Sequence, residues 1–302
     1  MEDFLKKYVD HLTFERSISP LTLRNYTNDV NGFIFFLKDS NIPSLDNIDR
    51  STMRRYLGSL HAQGISRGSI SRKLSALRSF YRYLEREKLV NVNPLLTLST
   101  PKLEKRLPTY LDVNNMRQLI EAPDCSTPQE VRDRAILELL YAAGLRVSEI
   151  VNLDVDDIDL PSHQIRIWGK GSKERMGLMG KPAIKALKLY LNNSRIKLQG
   201  KKETDALFLN RAGGRISERS IQRLLQKYAR KAGIDIRIHP HIMRHTFATH
   251  MLDGGADLRV VQDLLGHAKL SSTQVYTHVT QNQIRRTYLA AHPRSNQEKG
   301  EK

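Results

Sequence analysis

Pro240-His241-Ile242-Met243-Arg244-His245-Thr246-Phe247-Ala248-Thr249-His250 opens on a proline and sets His241 and Arg244 three residues apart. On a helix those two side chains share one face and can reach one anion together. Downstream lies Leu265-Gly266-His267, with Tyr276 nine residues after His267 in Val275-Tyr276-Thr277-His278. Upstream lie Gly144-Leu145-Arg146 and Gly169-Lys170-Gly171-Ser172-Lys173. Phosphodiester cleavage without metal needs a nucleophile, positive charge on the non-bridging oxygens, a base and a leaving-group acid. Tyrosine, two arginines, two histidines and a lysine meet those needs, and their ordered set is more informative than any member.

The chain has 302 residues, which suggests about two domains, and its 39% hydrophobic content suffices for buried cores. Its net charge is +17. The excess is not a basic tail, because residues 1–110 balance at +7 and residues 111–302 at +10. A polyanion touched by both halves is the simplest partner, and the phosphate backbone of double-stranded DNA fits. Cys125 is the only cysteine, so no disulfide can form within the chain. Met1-Glu2-Asp3-Phe4-Leu5-Lys6-Lys7 carries acids and no long apolar run, and Phe33–Leu37 is far too short to span a bilayer. Neither a signal peptide nor membrane insertion is expected, and the expected location is cytoplasmic.

Residues 1–97 read as all-helical. Ser19-Pro20 marks a helix start, and Leu23, Tyr26, Val30, Phe33, Ile34 and Leu37 recur at helical spacing. A second helix is predicted over Ser69–Glu87. Ile70, Leu74, Leu77, Tyr81 and Leu84 line one face, with Arg72, Arg78, Arg82 and Arg86 opposite. That arginine face is either solvated or, with only Glu85 and Glu87 to balance it, in contact with a DNA backbone; the second reading is favoured. Pro94, Pro101 and Pro108 bracket an aperiodic linker, residues 98–110. A second domain then covers residues 111–293. It is read as a helix over Pro128–Ala143 stopped by Gly144 in a left-handed cap, another helix through Leu153, and a hairpin. The hairpin pairs Gln164–Trp168 with Glu174–Leu178 around a turn at Gly169–Lys173. Helices dominate to Ala291. Ser271-x-x-Gln274 and Thr280-x-x-Gln283 fit capping boxes, the second starting a last short helix. Residues 294–302 read as a disordered polar tail.

Other chemistries fit less well. His241 and His245 have a zinc-helix spacing, but Ile242 stands where a metalloprotease needs glutamate. Gly169–Lys173 lacks the spacing of a nucleotide-binding loop. Asp154, Asp156, Asp157 and Asp159 fit a loop and cap cluster better than a magnesium site. Lys173 competes with Lys170 for the role of acid. Ile284, Tyr288 and Leu289, within Gln281–Ala291, form a small apolar set that packs either on its own domain or on another subunit.

Arg146, Lys170, His241-x-x-Arg244, His267 and Tyr276 stand in the order and approximate spacing of the tyrosine recombinase (phage integrase) family, which the chain resembles over essentially its whole length. The Pro240–His250 stretch and Leu265-Gly266-His267 followed by Tyr276 are the specific matches. Within the family the chain is most similar to the bacterial Xer subgroup, nearer its XerC type, on length and the Ala290-Ala291-His292-Pro293 ending. The resemblance implies a mainly α fold with a small β-sheet. It consists of an N-terminal helical (SAM-like) core-binding domain and a C-terminal mixed α/β catalytic domain, together forming a C-shaped clamp on DNA. It implies a site-specific DNA recombinase that resolves chromosome dimers with a partner recombinase, or a mobile-element or plasmid enzyme of the same chemistry. A non-catalytic architectural DNA binder is the reading from a different class.

In the implied roles, Tyr276 attacks the phosphate to give a 3′-phosphotyrosyl link, and Arg146 and Arg244 hold the transition-state oxygens. Lys170 protonates the leaving 5′-oxygen, a role its place in Gly-Lys-Gly-x-Lys favours over Lys173, which stays with the DNA contacts. His241 is an acid/base and His267 binds the phosphate. No metal, ATP or other cofactor is expected. The resemblance further implies a homo- or heterotetramer with a second Xer-type recombinase, docked in trans through the C-terminal segment, and a division-linked DNA translocase as regulator.

Overall fold

The computed structural model describes residues 1–15, 18–96, 98, 109–169, 174–266 and 278–295, the side chains of 278–281 aside. The chain divides into two compact units, Met1–Arg106 and Leu107–Lys302.

The first unit holds α1 (Glu2–Phe14), α2 (Pro20–Asp39), α3 (Arg50–Ala62) and α4 (Arg67–Arg86). The proline at the start of α2 is preceded by Ser19, whose hydroxyl accepts from the Thr22 N–H, as the sequence predicts. The predicted second helix is α4. It begins two residues earlier than expected, because Ser66 caps it by accepting from the Ser69 N–H. The apolar faces of α1, α2 and α4 meet around Tyr8, Phe33, Phe80 and Tyr81, each fully buried. Asp29 is buried with them, and Arg72 and Lys73 of α4 neutralise it.

In the second unit come α5 (Val113–Glu121), α6 (Pro128–Ala142) and α7 (Val147–Asn152), then strands β1 (Ile158–Asp159), β2 (Gln164–Trp168) and β3 (Glu174–Leu178). α8 (Lys181–Leu189) continues through a wider turn, Tyr190–Arg195, into α9 (Ile196–Gln199). α10 (Glu218–Lys231), α11 (Pro240–Asp253), α12 (Leu258–Leu265) and α13 (His278–Ala291) follow. The sheet is antiparallel in the order β1-β2-β3, with Arg166 opposite Met176 and Ile167 opposite Arg175. The hairpin is the expected one; β1 was too short to read from the sequence. α6 buries ten of its fifteen residues, the acids Asp133 and Glu138 among them, and packs as a central helix against α5, α8 and α11. It ends at Gly144, φ +57°, where a side chain would lie 2.6 Å from Phe247. The left-handed stop is therefore fixed by conformation and by space.

The acidic run is the cap cluster expected from the sequence. Asp157 accepts from the Asp154 N–H and pairs with Arg166, while Asp154 pairs with Arg215. α13 is already helical at His278, so Thr280 does not start it. The capping box at Ser271 lies outside the described residues.

Two expectations for the C-terminus are corrected. Tyr288 is buried in the core of its own unit and Ile284 packs against the same core, so two of the three apolar residues are occupied at home, while Leu289 is exposed. The polar tail does not begin at 294. Arg294 is buried and donates to Glu138 at 2.7 and 3.2 Å and to Glu121 at 3.1 Å. Gly180 leaves room for this strip, since a Cβ there would fall 2.2 Å from the Arg294 carbonyl oxygen.

His292 lies between Tyr141 and Tyr288 and accepts from the Arg294 N–H through Nδ1. Burial pushes its pKa down to about 3. In acid the unfolded chain therefore binds a proton that the folded one refuses, so stability is full above about pH 6.5 and falls below it. Between pH 8 and pH 5.5 the second unit should lose about 1.4 kcal/mol from this residue. Urea unfolding followed by Trp168 fluorescence, the chain's single tryptophan, checks this. His292→Leu should remove most of that pH dependence, and an unchanged dependence would refute it.

Candidate active site

Glu149, one turn into α7, is almost fully buried, its side chain 3% exposed. Its Oε2 accepts from the Arg146 backbone N–H at 2.9 Å and from Arg175 Nη2 at 2.8 Å, and its Oε1 accepts from Arg146 Nη1 at 2.7 Å. Arg244 Nη1 lies 3.8 Å from the same carboxylate. Burial would raise the pKa of this carboxyl. Arg175, and then the hydrogen bonds from Arg146, more than offset that and hold it below the usual carboxylate range. Three guanidinium groups thus surround one carboxylate, and the cluster keeps a surplus of positive charge.

Each arginine is placed by backbone geometry. Arg146 is the N-cap of α7, two residues past the left-handed Gly144. It is the outermost of the three, its side chain 39% exposed, and of its guanidinium nitrogens Nη1 donates to Glu149. Arg244 lies on α11 and is nearly buried. It donates to the Gly144 carbonyl at 2.9 Å and to the Leu265 carbonyl, tying the end of α6 to the end of α12. Burial, and then the charge of Arg146, push its pKa down to about 10, so it remains cationic at neutral pH. Arg175 on β3 reaches the next carbonyl of α12, Leu264, at 2.7 Å. The free carbonyls at the end of α12 thus meet two cations, a favourable match to the helix dipole. α12 then stops at Gly266, φ +66°, where a Cβ would lie 2.6 Å from Arg175 Cδ.

His241, at the start of α11 and one turn before Arg244, is exposed. His239 stands beside it, ring centroids 6.0 Å apart. Burial, with His241 and Arg237 nearby, lowers the His239 pKa. The structure therefore brings Arg146 and Arg244 to one carboxylate, with His241 exposed at the start of the helix that carries Arg244. Lys170, Lys173, His267 and Tyr276 lie outside the described residues.

The arginine face of α4 is less free than its own sequence suggests, because acids arrive from other helices. Asp29 of α2 takes Arg72. Glu15, just after α1, takes Arg86 at 3.2 Å, and Glu87 takes it at 2.8 Å. Arg78 donates to the Leu98 carbonyl. Arg82 is exposed and has no acidic partner among the described residues.

Two residues of the cluster escaped the sequence reading, each with a visible signal. Glu149 follows Arg146 by three, the spacing of a capping acid. Arg175 occupies an inward position of β3, opposite Ile167, where an apolar residue is expected. α10 was also missed. It buries Ile221, Leu224, Leu225 and Tyr228 and exposes Arg219, Arg223 and Arg230, a basic stripe suited to phosphates.

Known proteins agree with this picture. A model of the phage integrase family matches residues 109–283, and one of the N-terminal SAM-like domain of phage integrases matches residues 5–88. The tyrosine recombinase XerC of Pelotomaculum thermopropionicum is 45% identical over 300 residues, covering 96% of this chain and 98% of that one. XerC of Bacillus subtilis is 43% identical and XerD of Staphylococcus haemolyticus 42%, each over 98% of this chain and at least 98% of theirs. Among solved structures, a XerH site-specific recombinase bound to a palindromic difH substrate, in a post-cleavage complex, superposes with TM-score 0.71. It is 25% identical, over 91% of this chain and 81% of that one. Lambda integrase bound to a core site shares the fold, with TM-score 0.67 and 18% identity over 92% of this chain and 97% of that one.

Removing the counter-charge is the direct test of the cluster. Glu149→Gln keeps an acceptor for the Arg146 N–H but leaves three cations uncompensated, and should cost about 3 kcal/mol. Asp154→Asn breaks an exposed pair with Arg215 and should cost less than about 1 kcal/mol. Urea midpoints of the catalytic unit measure both. Equal small losses would mean that Glu149 does not balance the site.

Proposed function

The chain belongs to the phage integrase family and is a site-specific tyrosine recombinase, and from that premise we propose how its residues divide the reaction. Tyr276 Oη attacks the scissile phosphorus, forming a 3′-phosphotyrosyl ester as the bond to the 5′-oxygen breaks. Lys170 gives that oxygen its proton, leaving a free 5′-hydroxyl. His241 moves the phenolic proton, and His267 donates to the phosphate. Arg146 and Arg244 hold the non-bridging oxygens, where guanidinium forks fit best. Free tyrosine ionises at about pH 10, and the surplus positive charge of the cluster favours the phenolate. Ester exchange conserves the bond energy, so rejoining needs neither nucleotide nor metal.

The observation that carries this reading is the pair Arg146 and Arg244 gathered at Glu149, with Arg146 the more exposed of the two. Preorganised cations of this kind stabilise transition-state charge without reorganising. Arg82 of the first unit and the α10 stripe of the second contact the duplex backbone at the recombination site. Lys173 does the same beside Lys170.

The physiological substrate we infer is a pair of identical sites on a chromosome dimer, resolved to monomers by a tetramer that includes a second Xer-type recombinase. A DNA translocase acting at division is its regulator, and the cytoplasm its compartment. No described helix is long and apolar enough to cross a membrane. The presence of both XerC and XerD among close relatives favours this over a mobile-element role.

Covalent trapping on nicked suicide DNA, resolved on a denaturing gel, tests the assignment. Wild type should form an adduct with or without chelator, and Tyr276→Phe should form none. Arg146→Ala should slow trapping by roughly 10²–10³-fold while duplex retention changes little. An adduct persisting with Tyr276→Phe would overturn the nucleophile.

A further inference from the structure

Arg175 does work in the fold that neither phosphate binding nor packing explains. It leaves β3 on the inward face, beside Gly177 and opposite Ile167, where the hairpin meets the core. Its guanidinium is buried and spans two partners from different elements, Glu149 on α7 and the Leu264 carbonyl of α12. Its Nε, also buried, has no hydrogen-bond partner among the described residues and lies over Gly266, where a Cβ would come within 3.0 Å of it. Burial lowers its pKa, and Glu149 opposes that.

A charged side chain with an unpartnered buried N–H is an expensive way to fill a core position. What it provides is position. Arg175 is the second residue of β3, five residues after Lys170. Among the described residues, its side chain fastens this end of the strand to the Glu149 cluster, beside the backbone ladder to β2. Proton transfer to a leaving group tolerates little misplacement of the donor.

We propose that Arg175 is a positioning residue for DNA cleavage, clamping the start of β3 to Glu149 and α12 so that Lys170, on the preceding connection, protonates the leaving 5′-oxygen. This rests on Lys170 being the general acid, and the test keeps the two ideas separate.

The full-length protein is assayed on suicide duplexes with either a normal scissile phosphate or a 5′-bridging phosphorothiolate. The sulfur leaves as a thiolate and needs no proton, so a defect in proton delivery disappears while a defect in charge stabilisation remains. Arg175→Gln should cleave the normal duplex at least about 100-fold slower than wild type and the phosphorothiolate within about tenfold of it. Arg175→Lys, able to keep one partner, should fall between, and carries the same comparison if Arg175→Gln does not fold. Lys170→Ala is the reference for rescue and Arg146→Ala the reference for its absence. A folded Arg175 variant equally slow on both duplexes would overturn the proposal. If Lys170→Ala is not rescued while Arg175→Gln is, Arg175 positions a different donor and the Lys170 assignment falls alone.

Discussion

Three guanidinium groups cannot be held close together and mostly out of water without a counter-charge, and Glu149 is that counter-charge. It lies within hydrogen-bonding range of Arg146 and Arg175 and 3.8 Å from Arg244. The carboxylate therefore sets the spacing of the cations as well as their stability. It also leaves the cluster under-neutralised, the condition for receiving a phosphate. Full neutralisation would give a tidy core and an inert surface, whereas no counter-charge would scatter the arginines into solvent.

The second requirement is that backbone carbonyls be free where the arginines need them, and two left-handed glycines meet it. Gly144 ends α6 and Gly266 ends α12, and Arg244 bonds the carbonyl of the first and that of Leu265 just before the second. Helix ends must leave carbonyls without internal partners. The site uses that property to fix the arginines, so ending a helix and orienting a side chain are the same event. A side chain at Gly144 would collide with Phe247 and Leu265, so the stop cannot drift along the sequence. Buried acids play a similar part elsewhere: Asp29 takes Arg72 and Lys73, and Glu138 takes Arg294.

Much of this was legible in the residues. The proline-led helices, the hairpin and the Gly144 stop follow from local chemistry, and local chemistry sets them in the fold. Arg146 and Arg244 were legible as a pair because glycine turns and helical spacing mark them. What was not legible depended on elements far apart in the chain. Asp29 and Glu15 reach the arginine face of α4 from α2 and the end of α1, and no count along α4 could include them. Arg294 was read as part of a free tail because its partner Glu138 lies on α6, some 150 residues earlier. Arg175 was passed over because a strand pattern assigns inward positions to apolar residues, and the acid that justifies the exception comes from another element.

The buried C-terminal strip has a practical side. Arg294 reaches Glu138, on the central helix, and the chain between passes Gly254 and Gly180 with no space for a side chain at either. A purification tag or fluorescent partner fused at Ala291 would leave the buried Glu138 with Arg134 as its one counter-charge among the described residues. The join belongs after Ser295, and fusions made upstream would misreport the enzyme as unstable when only the junction is at fault.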